Sequence, residues 1–538
     1  MVNLTHLPFF EKSRIMKSSF LYGEDHLTAG KALAIASGQL AGILSPNSRK
    51  KIEQNRIIVD QIAKGEDAVY GINTGFGPLC STMISVEDTA TLQYNILKSH
   101  SVGVGNPIPK EIAKLMLILK LHALAQGFSG IALSTLDRIH WHIAEDIIPI
   151  VPEKGSVGAS GDLAPLAHLF LPLIGLGQVI YKGQVVSTST MFQQEKIQPI
   201  SLGAKEGLAL INGTQFIAAY AVKVVEKLHS CLSQADLIGA LMLEGLLGSA
   251  SPFSSELHLL RPYKGNQHVA QRIRQLVQNS AILASHANCD RVQDPYSLRC
   301  MPQVHGASRT SWLHLKELLE IELNSVTDNP VIINDSLTIS GGNFHGQPLA
   351  IPLDYACIAA SEIGNISDRR TYLSLMGVAK GVPKLLMENA GLNSAFMMLQ
   401  YTTAALASEN KGLCFPSSAD SIPTSLGQED HVSMGSIGGR KALSVLENVE
   451  KILAIELICA TQSFDYHKPL QSGKILEAIH TFVRTQISHA EEDRVFADDI
   501  EKAIAIIENR TILTIAKKTS QATGEVLKTD FENLFESY

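Results

Sequence analysis

The sequence predicts an all-α fold: a long-helix bundle preceded by a loop-rich N-terminal domain, with a few short hairpins. Three observations predict it. Apolar residues recur at helical spacing over long stretches. Strand-like runs are few and local. No strand–helix–strand alternation appears, which disfavours Rossmann and barrel folds. With 538 residues, 45% hydrophobic and 18% charged, the chain has the balance of a folded globular protein rather than a disordered one.

Along the chain, the first 220 residues are rich in Gly/Pro loops, although 111–126 already shows helical periodicity. From 215 to 247 the pattern continues over a length unusual for one globular helix. Further helices are expected at 311–326, 350–376, 395–411, 440–464 and 474–487. Several stretches, such as 452–458, are apolar on more than one face and need partners on several sides, which favours a bundle and subunit association. Segment 178–187, with Lys182-Gly183 between apolar runs, and segment 331–339, pivoting on Asn334-Asp335, read as hairpins. The expected organisation is an N-terminal domain over 1–220, a central long-helix bundle over 221–490 and a C-terminal helical segment over 491–538.

Composition excludes several function classes. The formal net charge is −7 with no block of like charge, so neither nucleic acid nor an anionic membrane is an expected partner. Stretch 163–181 carries no formal charge, but Pro165, His168, Pro172, Gly175 and Gly177 make it a buried helix and turn rather than a membrane span. The seven cysteines (Cys80, Cys231, Cys289, Cys300, Cys357, Cys414 and Cys459) are dispersed singly. That pattern suits reduced, mostly buried thiols and a cytoplasmic location. Lys12, Arg14 and Lys17 are not followed by an apolar run, so no secretory signal is expected. The histidines show no metal-ligand spacing; His140 and His142 flank Trp141 at i,i+2, where side chains on a helix face apart.

Four loops break the helical texture: Tyr70-Gly71-Ile72-Asn73-Thr74-Gly75-Phe76-Gly77, Gly155-Ser156-Val157-Gly158-Ala159-Ser160-Gly161-Asp162, Ser340-Gly341-Gly342-Asn343-Phe344-His345-Gly346 and Gly427-Gln428-Glu429-Asp430-His431. None is a phosphate-binding loop, since GxxxxGK[ST] is absent and no strand leads into a GxGxxG unit. Ser160 does not lie in a GxSxG elbow. Ala159-Ser160-Gly161 has a more particular chemistry. If the Gly161 nitrogen attacks the Ala159 carbonyl and two waters leave, the tripeptide becomes a five-membered 4-methylidene-imidazol-5-one ring. Gly161 offers an unhindered nitrogen and a sharp bend, Ser160 becomes the exocyclic methylene, and Ala159 adds little bulk.

The tripeptide alone proves nothing, but it sits in Gly-Ser-Val-Gly-Ala-Ser-Gly-Asp-Leu-Ala-Pro-Leu-Ala-His, and other motifs follow in order: Leu92-Gln93-Tyr94-Asn95 leading to Ser99-His100, Gly207–Thr214, Val292–Cys300, Asp328-Asn329-Pro330, Gly342–His345 and Gln428–Val432. On these the chain resembles the aromatic amino acid ammonia-lyase family, most closely its histidine-specific branch, from about Gly30 to the last helices. The resemblance implies an all-α homotetramer whose active sites are each shared among three subunits. It also implies a prosthetic ring formed autocatalytically in the N-terminal domain from Ala159, Ser160 and Gly161, with no metal or external cofactor. The reaction implied is elimination of ammonia from an amino acid to give a trans α,β-unsaturated acid, here urocanate from L-histidine.

The resemblance also implies roles. Tyr70 matches the base for the β-proton; a free tyrosine titrates near ~10, so neighbouring donors or positive potential must stabilise its phenolate. Arg299 clamps the substrate carboxylate through its planar fork, Asn212 bonds the carboxylate or the ring, and Gln293 and Tyr296 complete the polar wall. Phe344 packs beside the ring. His100 reads the substrate side chain, and Glu429, where phenylalanine and tyrosine lyases typically carry Gln, pairs with an imidazole. Four positions depart from the histidine-specific pattern: Pro295, His305 and the pair Gly346-Gln347. Tyrosine or phenylalanine lyases and aminomutases of the same family remain as alternatives, and a non-catalytic helical scaffold is disfavoured because Ser160, Tyr70 and Arg299 are all present.

Overall fold

The computed structural model describes residues 19–75, 77, 82–287 and 291–536, with backbone alone at 86 and 87. Lys12, Arg14, Lys17, Phe76, Cys80 and Cys289 lie outside the described residues. Among those described are twenty α-helices, and no strand is longer than four residues. The bundle is built on Gln215–Gly245, Met301–Leu323, Gln347–Ser374 and Gly435–Asp465. The first and last of these pack most extensively on each other, and Gln347–Ser374 packs on Gly435–Asp465. Gln215–Gly245 buries side chains on every face, as its continuous apolar pattern requires. Glycine lets the crossings close: a Cβ at Gly245 would lie 2.2 Å from Ser463 Oγ, and one at Gly439 would lie 2.8 Å from Tyr220 Cβ. The composition change near residue 220 falls inside this first helix.

The other helices start and stop within a few residues of expectation, with one exception. The helix expected at 311–326 begins at Met301, with Pro302 in its first turn. Its early turns lack an apolar stripe because their inward face is polar. His305 Nδ1 donates to Asp236 Oδ1 at 2.8 Å and Arg309 Nη2 donates to Asp236 Oδ2 at 2.6 Å, with all three side chains buried. An internal ion cluster has taken the place of hydrophobic packing, which periodicity cannot register. His305, one of the four departures, is therefore a partner for a buried carboxylate.

Both hairpins form, as Gln178–Tyr181 with Gln184–Ser187 and Val331–Asn334 with Leu337–Ile339. Stretch 163–181 is the helix Leu163–Phe170, a 3-10 turn over Leu171–Ile174 and the strand Gln178–Tyr181. No helix among the described residues is long and apolar enough to cross a membrane. Cys231, Cys357 and Cys459 are buried, Cys300 and Cys414 half-buried, and all five are free thiols.

Candidate active site

The loop carrying Ala159-Ser160-Gly161 is held from three sides. Gly161 N–H donates to Gly158 O at 3.3 Å, closing a turn with Ser160 at φ +47° and Gly161 at φ +87°. A left-handed serine costs about 1–2 kcal/mol and persists only where its surroundings impose it. Those surroundings are identifiable. Met434 N–H donates to Val157 O at 2.9 Å and Ser436 Oγ donates to Ser156 O at 2.7 Å. On the other side Gly213 N–H donates to Ser160 O at 3.0 Å, and a Cβ at position 161 would lie 2.1 Å from Gly213 O. Only glycine fits there.

Asp162 anchors the loop to the bundle. Its buried Oδ2 accepts the N–H groups of Phe216 and Ile217, both at 3.0 Å, at the start of the Gln215–Gly245 helix. Burial nevertheless pushes its carboxyl up to about 7, against the hydrogen bonds that hold the anion.

Ser160 opens into a cavity of about 410 Å³ whose walls include Tyr70, His100, Leu208, Ser425 and Glu429. Ser160 Oγ donates to Glu429 Oε1 at 3.3 Å. The second carboxylate oxygen accepts from Thr424 Oγ1 at 2.9 Å and Ser425 Oγ at 2.7 Å, so Glu429 has a fixed direction. His100 ends the Val86–His100 helix, with Nδ1 3.0 Å from Ser99 Oγ. Burial lowers its basicity, while a backbone bond to Ile96 and the charge of Glu429 oppose that. Tyr70 is half-buried, and its hydroxyl accepts from Gly77 N–H at 3.4 Å.

One chain thus brings Tyr70, His100, Ser160 and Glu429 into one cavity. Asn212 lies behind the turn, 2% exposed, one residue from the Gly213 amide that holds Ser160. Its Oδ1 is buried and has no hydrogen-bond partner among the described residues. Gln293 and Arg299 line a different cavity, of about 780 Å³. Tyr296 is 70% exposed with the Arg299 guanidinium 4.6 Å above its ring, and Arg299 Nε donates to Asp294 O at 2.9 Å. Phe344 is half-buried just before the Gln347–Ser374 helix and does not line the Ser160 cavity. Within one chain Gln293 and Arg299 therefore do not share the cavity that Ser160 lines.

Two further departures have local reasons. Gly346 immediately precedes that helix, and a Cβ there would come within 2.6 Å of Ile217 Cδ1 and 3.0 Å of Ser433 Oγ. Pro295 starts the short Tyr296–Arg299 helix, where its fixed φ suits the entry. Gln347 is half-buried, and nothing in the structure explains its choice. Sequence reasoning missed Thr424 and Ser425, which orient Glu429 without carrying a motif of their own, and read no role for Gly213, which holds the Ser160 carbonyl from within the Gly207–Thr214 motif. It also missed Lys120, although a lysine inside the run Leu117-Ile118-Leu119-Lys120-Leu121 was a visible signal.

Residues 27–485 match the family model described as aromatic amino acid lyase. The chain is 42% identical over 497 residues to a histidine ammonia-lyase of Myxococcus xanthus, covering 92% of this chain and 98% of that protein. It is 44% identical over 478 residues to one from Natranaerobius thermophilus, covering 88% and 94%. Among solved structures it resembles the histidine ammonia-lyase of Trypanosoma cruzi, with a TM-score of 0.86 at 38% identity over 93% of this chain and 96% of that one. It also resembles the tyrosine aminomutase of Streptomyces globisporus, with a TM-score of 0.88 at 33% identity over 93% and 99%.

Proposed function

Because the chain belongs to the aromatic amino acid lyase family, we propose that this carbon–nitrogen lyase eliminates ammonia from L-histidine to give trans-urocanate. The observation that carries the choice of substrate is Glu429 beside His100 on the wall of the Ser160 cavity, its carboxylate held by Thr424 and Ser425. A directed carboxylate accepts an imidazole N–H, whereas a bare phenyl ring leaves it poorly satisfied.

Residues 159–161 fit the proposed 4-methylidene-imidazol-5-one. The turn is tight, Gly161 has no room for a side chain, and the Ser160 carbonyl already has a donor in Gly213 N–H. Ring closure joins Gly161 N to the Ala159 carbonyl carbon. One water takes the Ala159 oxygen with the two amide hydrogens of Ser160 and Gly161, and the other takes the Ser160 hydroxyl with its Cα hydrogen. Once formed, the ring supplies an electrophilic methylene that no unmodified side chain offers. Loss of the Ser160 hydroxyl also releases Glu429 Oε1 for the substrate.

The chain's own residues then bind, orient and move a proton. Tyr70 takes the β-proton, and the Gly77 N–H on its oxygen favours the phenolate. Glu429 and His100 orient the imidazole. Arg299 clamps the carboxylate, with Gln293, Tyr296, Asn212 and Phe344 completing the enclosure. Since Gln293 and Arg299 line a separate cavity of the same chain, the reading requires neighbouring subunits, and a cytoplasmic homotetramer with shared sites meets that need. Exposed Ile351, Tyr355 and Ile358 recur at i, i+4 and i+7 along one helix, an apolar stripe that supports subunit packing. No nucleic-acid or membrane partner enters the reading.

Incubating the purified protein with histidine, tyrosine and phenylalanine separately tests this. Urocanate absorbance should rise with histidine alone. Cinnamate-type products from the other two, without urocanate, would reject the substrate assignment. Likeness to a tyrosine aminomutase keeps one second reading, in which ammonia returns to the β-carbon; amino acid analysis for a β-amino acid distinguishes it.

A further inference from the structure

We propose that Lys120 is a positioning residue for the Ala159-Ser160-Gly161 site, acting through the single peptide group that joins Asn212 to Gly213. The inference rests on the reading that residues 159–161 cyclise. Lys120 lies in the apolar run of the Lys110–Leu124 helix and is 1% exposed. Burying an ammonium is costly unless its donors are used. Its Nζ donates to the Asn212 carbonyl oxygen. Among the described residues it makes no ion pair, since Asp328 is engaged by Lys205 at 2.5 Å. Burial draws Lys120 down to about 7, with the charge of Asp328 opposing, Lys205 adding and Asp162 opposing.

The Asn212 carbonyl and the Gly213 N–H belong to one peptide unit. The Nζ donor on the oxygen polarises that unit, most when the amine is protonated, and strengthens its N–H as a donor. The N–H donates to Ser160 O at 3.0 Å. The chain of contacts is therefore Lys120 Nζ to Asn212 O, across the peptide, and Gly213 N–H to the Ser160 carbonyl. The geometry of the relay is imposed by the backbone. Asn212 leaves the Glu206–Ile211 helix in an extended conformation, and Gly213 sits at φ +122° with a would-be Cβ 2.7 Å from Thr327 Oγ1. The Ser160 carbonyl would be conjugated to the ring methylene, so a strong donor on its oxygen withdraws electrons from the carbon that must accept a nucleophile. Lys120 thus tunes the site without touching substrate.

The test uses the full chain with Lys120→Met, which removes charge and donor, and Lys120→Gln, which keeps a donor without charge. Three quantities are read: the two-water mass deficit of the intact protein, the near-ultraviolet absorbance of the ring, and the rate at which added cyanide bleaches it. Thermal denaturation and oligomeric state control for folding. Lys120→Met is expected to mature incompletely and to react with cyanide at least tenfold more slowly, with Lys120→Gln between it and wild type. If Lys120→Met does not fold, Lys120→Gln against wild type carries the same comparison. Variants that match wild type in mass deficit, spectrum and bleaching rate overturn the role, even where stability changes. Absence of the mass deficit from wild type overturns the cyclisation reading and the role with it; a normal wild type with unaffected variants overturns Lys120 alone.

Discussion

The Ser160 hydroxyl donates to Glu429 Oε1 across 3.3 Å, although the two residues stand 269 positions apart in the chain. The group proposed to build the electrophile and the group proposed to select the substrate are thus direct neighbours. Glu429 does not depend on that hydroxyl for its direction, because Thr424 and Ser425 hold its other oxygen. Loss of the hydroxyl in the proposed cyclisation would leave the carboxylate held by Thr424 and Ser425, with Oε1 free of its Ser160 donor.

Glu429→Gln is expected to lower kcat/KM for histidine roughly hundredfold, the loss of one charge-assisted hydrogen bond. The two-water mass deficit should be unchanged. Urocanate formation followed by absorbance measures the first and intact mass the second. Undiminished turnover would remove Glu429 from substrate recognition.

Gly161→Ala should abolish the mass deficit and destabilise the fold by about 1–2 kcal/mol for the left-handed residue alone. The clash with Gly213 O at 2.1 Å adds to that. Mass spectrometry and thermal denaturation are the measurements. A fully matured alanine variant would show that the turn does not govern ring closure.

Ser160→Ala and Arg299→Ala homo-oligomers should each be inactive, yet co-expressed mixtures should regain a fraction of wild-type activity. Ser160 and Arg299 line different cavities of one chain, so a shared site can draw each intact residue from a different subunit. Mixed oligomers with no recovered activity would mean that each copy works alone.

Acid should unfold the protein in part through Asp465. Burial raises this carboxyl, but His480 at 2.6 Å, His489 at 2.7 Å and Arg484 at 2.8 Å outweigh burial and hold it well below the usual carboxylate range. A carboxyl depressed in the folded state contributes stability that is present above its unfolded value, about 4, and is lost as pH falls toward the folded value. Asp465→Asn, which removes the carboxylate partner of the half-buried Arg484, should cost roughly 2 kcal/mol at neutral pH, the worth of a hydrogen bond to a charged group, and flatten the loss of stability below pH ~4. Urea denaturation from pH 7 to pH 3 reads both. Parallel acid limbs for variant and wild type would exclude Asp465 as a contributor.

The helical architecture was legible because burial on several faces leaves a periodic record, and the long helices 215–245 and 435–465 carry it plainly. The record fails where the interior is ionic. Asp236 pairs with both His305 and Arg309 on the inward face, so the first ten residues of the Met301–Leu323 helix have no apolar stripe to read. The same limit applied to Lys120: a charge in an apolar run is visible, but its partner, a carbonyl 92 positions away, is not.

By itself the sequence determined the fold class, the family resemblance and the residues able to carry the chemistry, because those depend on residue type and local order. Tertiary structure alone decided their grouping. It placed Tyr70, His100, Ser160 and Glu429 around one cavity, put Asn212 behind the turn, and left Gln293 and Arg299 at another cavity. The reason is physical. Hydrogen bonds such as Gly213 N–H to Ser160 O, and exclusions such as the 2.1 Å approach at Gly161, join segments whose separation along the chain bears no relation to their distance in space.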